Sequence, residues 1–326
     1  MKILAASKAI INLAIGAQNA VLCCASNSDM HDSGAENFLG SDFSCEKCKI
    51  DSYFPNFEFQ DRAGSPHLFE SHEAPYRLII ESYSLSSQYE RLASCRVSDP
   101  IFALALNGDG FHGQYNRPWL AGKGNLHLCA RIPTDGACIS PLFQIIPSLA
   151  VVRSIEGDFR FKWPNDIVTL NPLRKIGGAL SSYLSGDGAL LFGIGVNLCH
   201  APKITMLSDI GAAACFQHAF DINAQSRIHH QVANDVMRHL VAVNGELLSS
   251  PKKLLDEYRD RLVGLGQHIT LVDAMTQKIV ASGVFSDIDA DFAICLQGHT
   301  THYRHVRIHF AEGDDSHARY AMTSNR

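Results

Sequence analysis

Apolar and polar positions fall into short blocks from Pro75 onward. Tyr76–Tyr83 (YRLIIESY) and Ile101–Leu106 (IFALAL) read as buried strands, and Asn125–Ile132 (NLHLCARI) alternates with a period of two. Tyr89–Ala93 reads as a short helix, with Ser86 or Ser87 as its N-cap. Ser140–Ile155 has the pattern of a longer helix, in which Pro147 predicts a kink. Phe159–Trp163, Arg174–Leu184 and Leu190–Leu198 continue the strand series. The stretch from Leu207 to Leu262 is mostly helical, most strongly over Ile228–Leu248. Beyond Gly264 the elements shorten to His268–Val272, Lys278–Ser286, Phe292–Leu296 and Thr301–Ile308, the pattern of a small β module. This order predicts an α+β fold with a mixed sheet and a C-terminal β domain.

Residues 1–72 show no clear periodicity, and 26–45 are rich in Ser, Asp, Gly and Asn, which predicts loop or weak order. The expected division is an extension over 1–72, a main domain over 73–262, a β domain over 263–311 and a polar tail over 312–326. The chain has 326 residues, a net charge of −5 and a pI near 6.3. No basic run points to nucleic acid, no helix-turn-helix pattern points to a DNA-binding domain, and no apolar run spans a membrane. Ten cysteines in so long a chain fall well below a disulfide scaffold, which predicts reduced thiols and a cytoplasmic protein. Cys45-Glu46-Lys47-Cys48 lacks a second ligand pair, so a zinc site there is not expected.

The chemistry concentrates in Phe161-Lys162-Trp163-Pro164-Asn165-Asp166-Ile167, which sets a cation, an anion and an amide at a strand end breaking into a loop. Lys175-Ile176-Gly177-Gly178 follows, with glycines where something approaches the backbone. Asn107-Gly108-Asp109-Gly110-Phe111-His112-Gly113-Gln114 is a glycine-rich loop without Walker or GxGxxG spacing. Taken singly, each has a plain reading: Trp163 and Trp119 as core, Ser86 as a cap, Asn197 as a turn residue, Lys175 as a surface lysine.

The ordered set is similar to the biotin protein ligases. The resemblance rests on Lys162-Trp163-Pro164-Asn165-Asp166, Arg174-Lys175-Ile176-Gly177-Gly178 and Gly193-Ile194-Gly195-Val196-Asn197-Leu198, and covers roughly residues 76–310. It implies a class II synthetase-like catalytic domain, an SH3-like β domain, ATP with Mg2+ as co-substrate, and biotin as substrate. The implied acceptor is a biotin carboxyl carrier domain of acetyl-CoA or propionyl-CoA carboxylase. No DNA-binding domain and no membrane are expected, and a homodimer is an open arrangement. Carried over residue by residue, the resemblance makes Lys175 and Arg117 catalytic. It puts Ser86, Ser87, Gln88, Asn107, Gly113, Lys175, Gly177 and Gly178 on biotin, and Gln114, Arg117, Trp119, Lys162, Asn165, Asp166 and Asn197 on the nucleotide. Asp166 is also the candidate Mg2+ partner.

One segment departs from the family. Its glycine-arginine loop, GRGRxGR before a tryptophan, falls on Phe111–Arg117, where only Gly113 and Arg117 match and His112 and Gln114 replace arginines. The glutamine that precedes the loop falls on Gly108. A charge-assisted hydrogen bond is roughly twice as strong as a neutral one, so weaker retention of the adenylate is expected. Two further readings stay open: a catalytically impaired biotin-binding protein, and a lipoate- or octanoate-ligase relative.

Overall fold

A computed structural model describes residues 57–60, 68–71, 77–81, 84, 87–95, 98–105, 107–122, 124–134, 140–202, 211–216 and 222–310. Ser86, Lys123, the Cys45–Cys48 pair and the tail from 312 lie outside the described residues.

Among the described residues, nine strands form one mixed sheet: β1 (Phe57–Gln60), β2 (Leu68–Ser71), β3 (Arg77–Glu81), β4 (Ile101–Ala105), β5 (Leu126–Pro133), β6 (Arg160–Lys162), β7 (Asp166–Thr169), β8 (Arg174–Leu184) and β9 (Ala189–Val196). Their spatial order is β1-β2-β3-β4-β5-β9-β8-β7-β6, with β3 and β4 parallel and the other neighbours antiparallel. Among the described residues the sheet therefore reaches back to Phe57, ahead of residue 73. Phe57-Glu58-Phe59-Gln60 alternates, but four residues are too few to stand out from a polar stretch. The loop expected after Ile167 is instead the hairpin β7–β8, turned through Asn171-Pro172.

Strands β4 and β5 are buried on both faces, as their position at the middle of the sheet requires. Phe102, Leu104, Leu126, Leu128, Phe192 and Ile194 turn to one face and pack into the main core. The helices α2 (Ile146–Ser154) and α3 (Ile222–Ser249) pack on each other and join that core. Burying each large apolar side chain contributes about 1.5–3 kcal/mol. The expected single helix over 140–155 is two pieces, a 3-10 turn at Pro141–Ile145 and then α2. Pro147 sits in the first turn of α2, where its missing N–H costs nothing, so it starts a helix rather than kinking one. The helix α1 (Gln88–Ala93) covers the opposite sheet face, where Leu92 meets Cys95, Ile101, Ala103, Cys129 and Leu191. Ser87 stands at its N-cap position without a side-chain capping bond.

A fourth helix, α4 (Pro251–Asp260), leads into a five-stranded antiparallel sheet. Its strands are β10 (His268–Asp273), β11 (Ile279–Ile288), β12 (Ile294–Leu296), β13 (His302–Tyr303) and β14 (Val306–Phe310), in the order β13-β12-β11-β10-β14. This is the expected small β domain. Its core is continuous with that of the large sheet. The junction is aromatic: Tyr258 of α4 stacks on Phe161 at 4.5 Å and meets Phe292 edge-on at 5.4 Å. Among the described residues no helix is long and apolar enough to cross a membrane.

Candidate active site

One transverse row of the large sheet makes a floor. Strand register sets Lys162 opposite Asp166, Asp166 opposite Gly178, Gly178 opposite Gly195, Gly195 opposite His127 and His127 opposite Ala105. Residues directly opposite in antiparallel strands point to the same face. The row thus has charged groups at one end, a buried histidine near the other, and two glycines between. The next row repeats the device with Gly193 between Leu180 and Cys129. In Gly193-Ile194-Gly195-Val196 the glycines open this face, while Ile194 and Val196 go to the core.

Aromatic rings occupy the space the glycines leave. A Cβ on Gly195 would lie 2.5 Å from the Trp119 ring, and one on Gly193 would lie 2.9 Å from the Tyr89 ring. Tyr89 crosses on to donate a hydrogen bond to Ser182 Oγ at 2.7 Å. Gly195→Ala is therefore expected to push Trp119 off the floor. Its fluorescence would then shift, and any ligand held against the ring would bind at least about tenfold more weakly, a loss of about 1.4 kcal/mol. Equilibrium titration of Gly195→Ala checks this.

Lys175 reaches the same face by a β-bulge. It stands three residues before Gly178, which in a regular strand puts the two on opposite faces. Register shifts between Ile167 and Val168, so Ile176 is the extra residue and turns into the core. Lys175 Nζ then ion-pairs with Asp166 Oδ1 and lies 5.8 Å from the centre of the Trp119 ring. The two charged side chains are 25% and 23% exposed, open enough to meet a ligand. Burial pushes the Asp166 carboxyl up, but Lys175, Lys162, the Lys175 hydrogen bond and Arg117 together hold it below the usual range. Asp166 is thus an anion that fixes Lys175.

The other sequence-derived residues divide. Lys162 is buried and sets its ammonium 5.8 Å from the Phe310 ring, between Asp166 and the small sheet. Trp163 is not in the site. It is buried against Phe292 at 5.9 Å and donates from Nε1 to the Phe292 carbonyl. Asn165 donates its amide to Ala179 O and accepts the Ala179 N–H, so it pins the β6–β7 turn to β8. Asn197 is buried and donates to Ala213 O at 3.1 Å. Lys175 holds the same segment through its main chain, to Gly211 O and from Ala213 N. Beside this segment opens a cavity of about 570 Å³, walled by Arg174, Asn171, His200, Ala212 and Ala213.

Asn107 spends its side chain locally, accepting the Gly108 N–H at 2.9 Å. Gly108 itself touches Ser84, whose carbonyl a Cβ would meet at 2.3 Å. Ser87 and Gln88 are buried at the start of α1. The altered loop is a closed turn: Gly113 N–H donates to Arg117 O at 2.7 Å and Trp119 N–H to Phe111 O at 2.8 Å. Gln114 opens a 3-10 turn, and Arg117 is exposed, its Nε on Gln114 O at 3.1 Å. His112 ties the loop to α1 through Glu90 at 2.9 Å.

Several residues have no counterpart in the sequence reading. Asn125 is buried and accepts the N–H groups of Cys199 and His200 on Oδ1, which locks the chain after Asn197. His127 is buried under Phe111, ring centres 5.1 Å apart. Burial lowers its pKa to about 4 from 6.5, against a hydrogen bond to Gly122 O. Between those values the unfolded chain takes up a proton that the folded chain refuses. Stability should therefore fall with pH from 6.5 to about 4 and level off below, a loss on the order of 3 kcal/mol. In His127→Phe that slope should vanish from urea titrations run across the window. The signal for the floor was present in the sequence, as glycines two apart in a strand.

No family model matches the chain. Among curated proteins, Biotin--protein ligase 2 of Arabidopsis thaliana is 28% identical over 153 residues, 43% of this chain and 46% of that one. The chloroplastic Biotin--protein ligase 1 of the same plant is 27% identical over 148 residues, 41% of this chain and 40% of that one. In sequence the chain is thus similar to the biotin protein ligases. Less than half the length of these curated relatives is matched. The biotin protein ligase of Aquifex aeolicus, solved with biotin and ATP, superposes with a TM-score of 0.54 at 19% identity, over 72% of this chain and 99% of that one. Its apo structure gives the same TM-score at 17% identity. At that identity the likeness shows the fold, which is that of the biotin protein ligases.

Proposed function

We propose that the chain is an ATP-dependent biotin–protein ligase, with its catalytic unit over 73–262 extended by β1 and β2, and its β domain over 263–311. The observation that carries the proposal is Lys175, fixed by Asp166 over a glycine floor and roofed by Trp119. An aromatic face beside a fixed ammonium suits a small ring compound bearing a carboxylate. The relatives named above are ligases, and one was solved with both biotin and ATP.

In the first step a biotin carboxylate oxygen attacks the α-phosphorus of ATP. The bond from that phosphorus to the bridging oxygen breaks, and pyrophosphate leaves with the electron pair. Both reactants are anionic, so a cation at the meeting point lowers the barrier. Lys175 supplies it, and Lys162 and Arg117 add positive charge. In the second step the neutral amine of a carrier-domain lysine attacks the carbonyl carbon, the bond from that carbon to the AMP oxygen breaks, AMP leaves with the electron pair, and the amine gives up one proton to solvent. The carrier chemistry would be that of acetyl-CoA or propionyl-CoA carboxylase. We assign Ser86, Ser87, Gln88, Asn107, Gly113, Gly177 and Gly178 to the biotin side, and Gln114, Trp119, Asn165 and Asn197 to the nucleotide side. The cavity beside Ala212 offers room for the base.

Asp166 does not fit a direct magnesium ligand. One oxygen is held by Lys175, and Lys162 adds a second ammonium. We therefore assign it to orienting Lys175 and leave the ion on the ATP phosphates. The chain, biotin, ATP with Mg2+ and a carrier domain should yield biotin-dependent pyrophosphate and a biotinylated lysine. Pyrophosphate formation indifferent to biotin would overturn the proposal. The loop, with Arg117 its only arginine or lysine among described residues 107–122, favours a second reading. In it the chain binds biotin without activating it, and biotin alone raises the melting temperature while no pyrophosphate forms.

A further inference from the structure

We propose that Asp289, Cys295 and His302 form a zinc-binding site on the small sheet, with three protein ligands and a fourth position left to water. Their ligand atoms all lie within 4.8 Å of one another. Three elements converge on the point. Cys295 of β12 is directly opposite His302 of β13, so both side chains stand on one face. Asp289 follows the end of β11 in the turn before β12.

The carboxylate is aimed. Asp289 Oδ1 accepts the N–H groups of Asp291 at 2.9 Å and Ala293 at 2.8 Å. That leaves Oδ2 facing His302 Nδ1, at 2.6 Å. Backbone donors that fix a ligating oxygen are the support a metal ligand needs. The neighbouring carboxylates are spoken for: Asp287 by Arg259 at 2.8 Å, and Asp291 by Arg304 at 2.6 Å. Asp289 is the acid that turns toward the thiol and the imidazole instead.

The donor set selects the ion. A thiolate with an imidazole and a carboxylate suits Zn2+, whereas Mg2+ and Ca2+ want oxygen alone. Around tetrahedral zinc, neighbouring donor atoms sit roughly 3.5 Å apart. The distances here, 2.6 Å for one pair and 4.8 Å at most, bracket that value. Modest side-chain rotation closes the site. Binding releases the thiol proton of Cys295 to solvent, so affinity rises with pH.

Cobalt(II) titration of the full chain tests the site, because a thiolate ligand gives a charge-transfer band. Wild type should show the band, and Zn2+ should bleach it. Cys295→Ser should bind one equivalent fewer and lose that share of the band. His302 is half-exposed, so His302→Ala should keep the fold. Its affinity at this site should drop beyond the roughly 10–100-fold typical of outer partners. A wild type without the band overturns the site, as do variants that match wild type in equivalents and affinity.

Discussion

Replacing Lys175 by alanine is expected to cut biotin-dependent pyrophosphate release by about 10²–10³-fold, the usual loss when one preorganised donor to developing charge is removed. The size follows from placement. The ammonium is held by one carboxylate, lies over an aromatic ring and is only a quarter exposed. Its position is set before any ligand arrives, so little reorganisation is needed as charge builds on the phosphate. Biotin binding should weaken far less than turnover, because the nearby Lys162 and Arg117 still attract a carboxylate. Lys175→Arg keeps the charge but replaces a compact ammonium with a planar fork, and should restore little. Stability should change modestly, since Asp166 keeps Lys162 and Arg117 nearby. Single-turnover pyrophosphate release beside a biotin titration separates the two effects. Wild-type turnover in Lys175→Ala would remove the lysine from the mechanism.

Much of this site was legible as sequence, for a physical reason. Lys162 and Asp166 flank a tight turn, and Lys175 and Gly178 lie across the next hairpin, so local pairing brings them together. The strand over Arg174–Leu184 has the extent expected from its pattern. What the pattern hid was parity. Nothing in Lys175-Ile176-Gly177-Gly178 announces a bulge at Ile176, yet without it Lys175 would face the core. The tryptophans were equally opaque. Trp119 and Trp163 both lie within two residues of a cation in the chain, but one roofs the floor and the other is buried against Phe292. That choice depends on partners 76 and 129 residues distant, Gly195 and Phe292, which no local window contains. Asn165 also staples the turn by donating to Ala179 O, a contact 14 residues away that its place between Pro164 and Asp166 does not announce. His127 escaped notice because a single polar residue in an apolar strand carries no signal until its neighbours are known.

Tyr258→Ala should destabilise the protein by about 3–5 kcal/mol, the range for removing a large buried aromatic. The ring is wholly buried and stacks on Phe161, while its edge meets Phe292 of the small sheet. Its hydroxyl donates to the Pro164 carbonyl at 3.1 Å, inside the turn that leads to Asp166. Burial, with Asp166 adding to it, raises the phenol well above its ordinary range, so the proton stays available to donate. One residue thus joins α4, the strand carrying Lys162, and the small sheet. Tyr258→Phe keeps the stacking and leaves one carbonyl without its donor, which should cost about 1 kcal/mol. The tryptophans provide the readout. Trp163 packs on Phe292 beside this ring, and Trp119 lies over Gly195 in the site. In a Trp119→Phe background, urea titration followed by the remaining tryptophan should show a large shift for Tyr258→Ala and a small one for Tyr258→Phe. If the junction also sets the Lys162–Asp166 turn, Tyr258→Ala should lower biotin-dependent turnover in urea-free buffer, where most molecules are still folded. Equal midpoints for both variants would show that the two sheets are held together elsewhere.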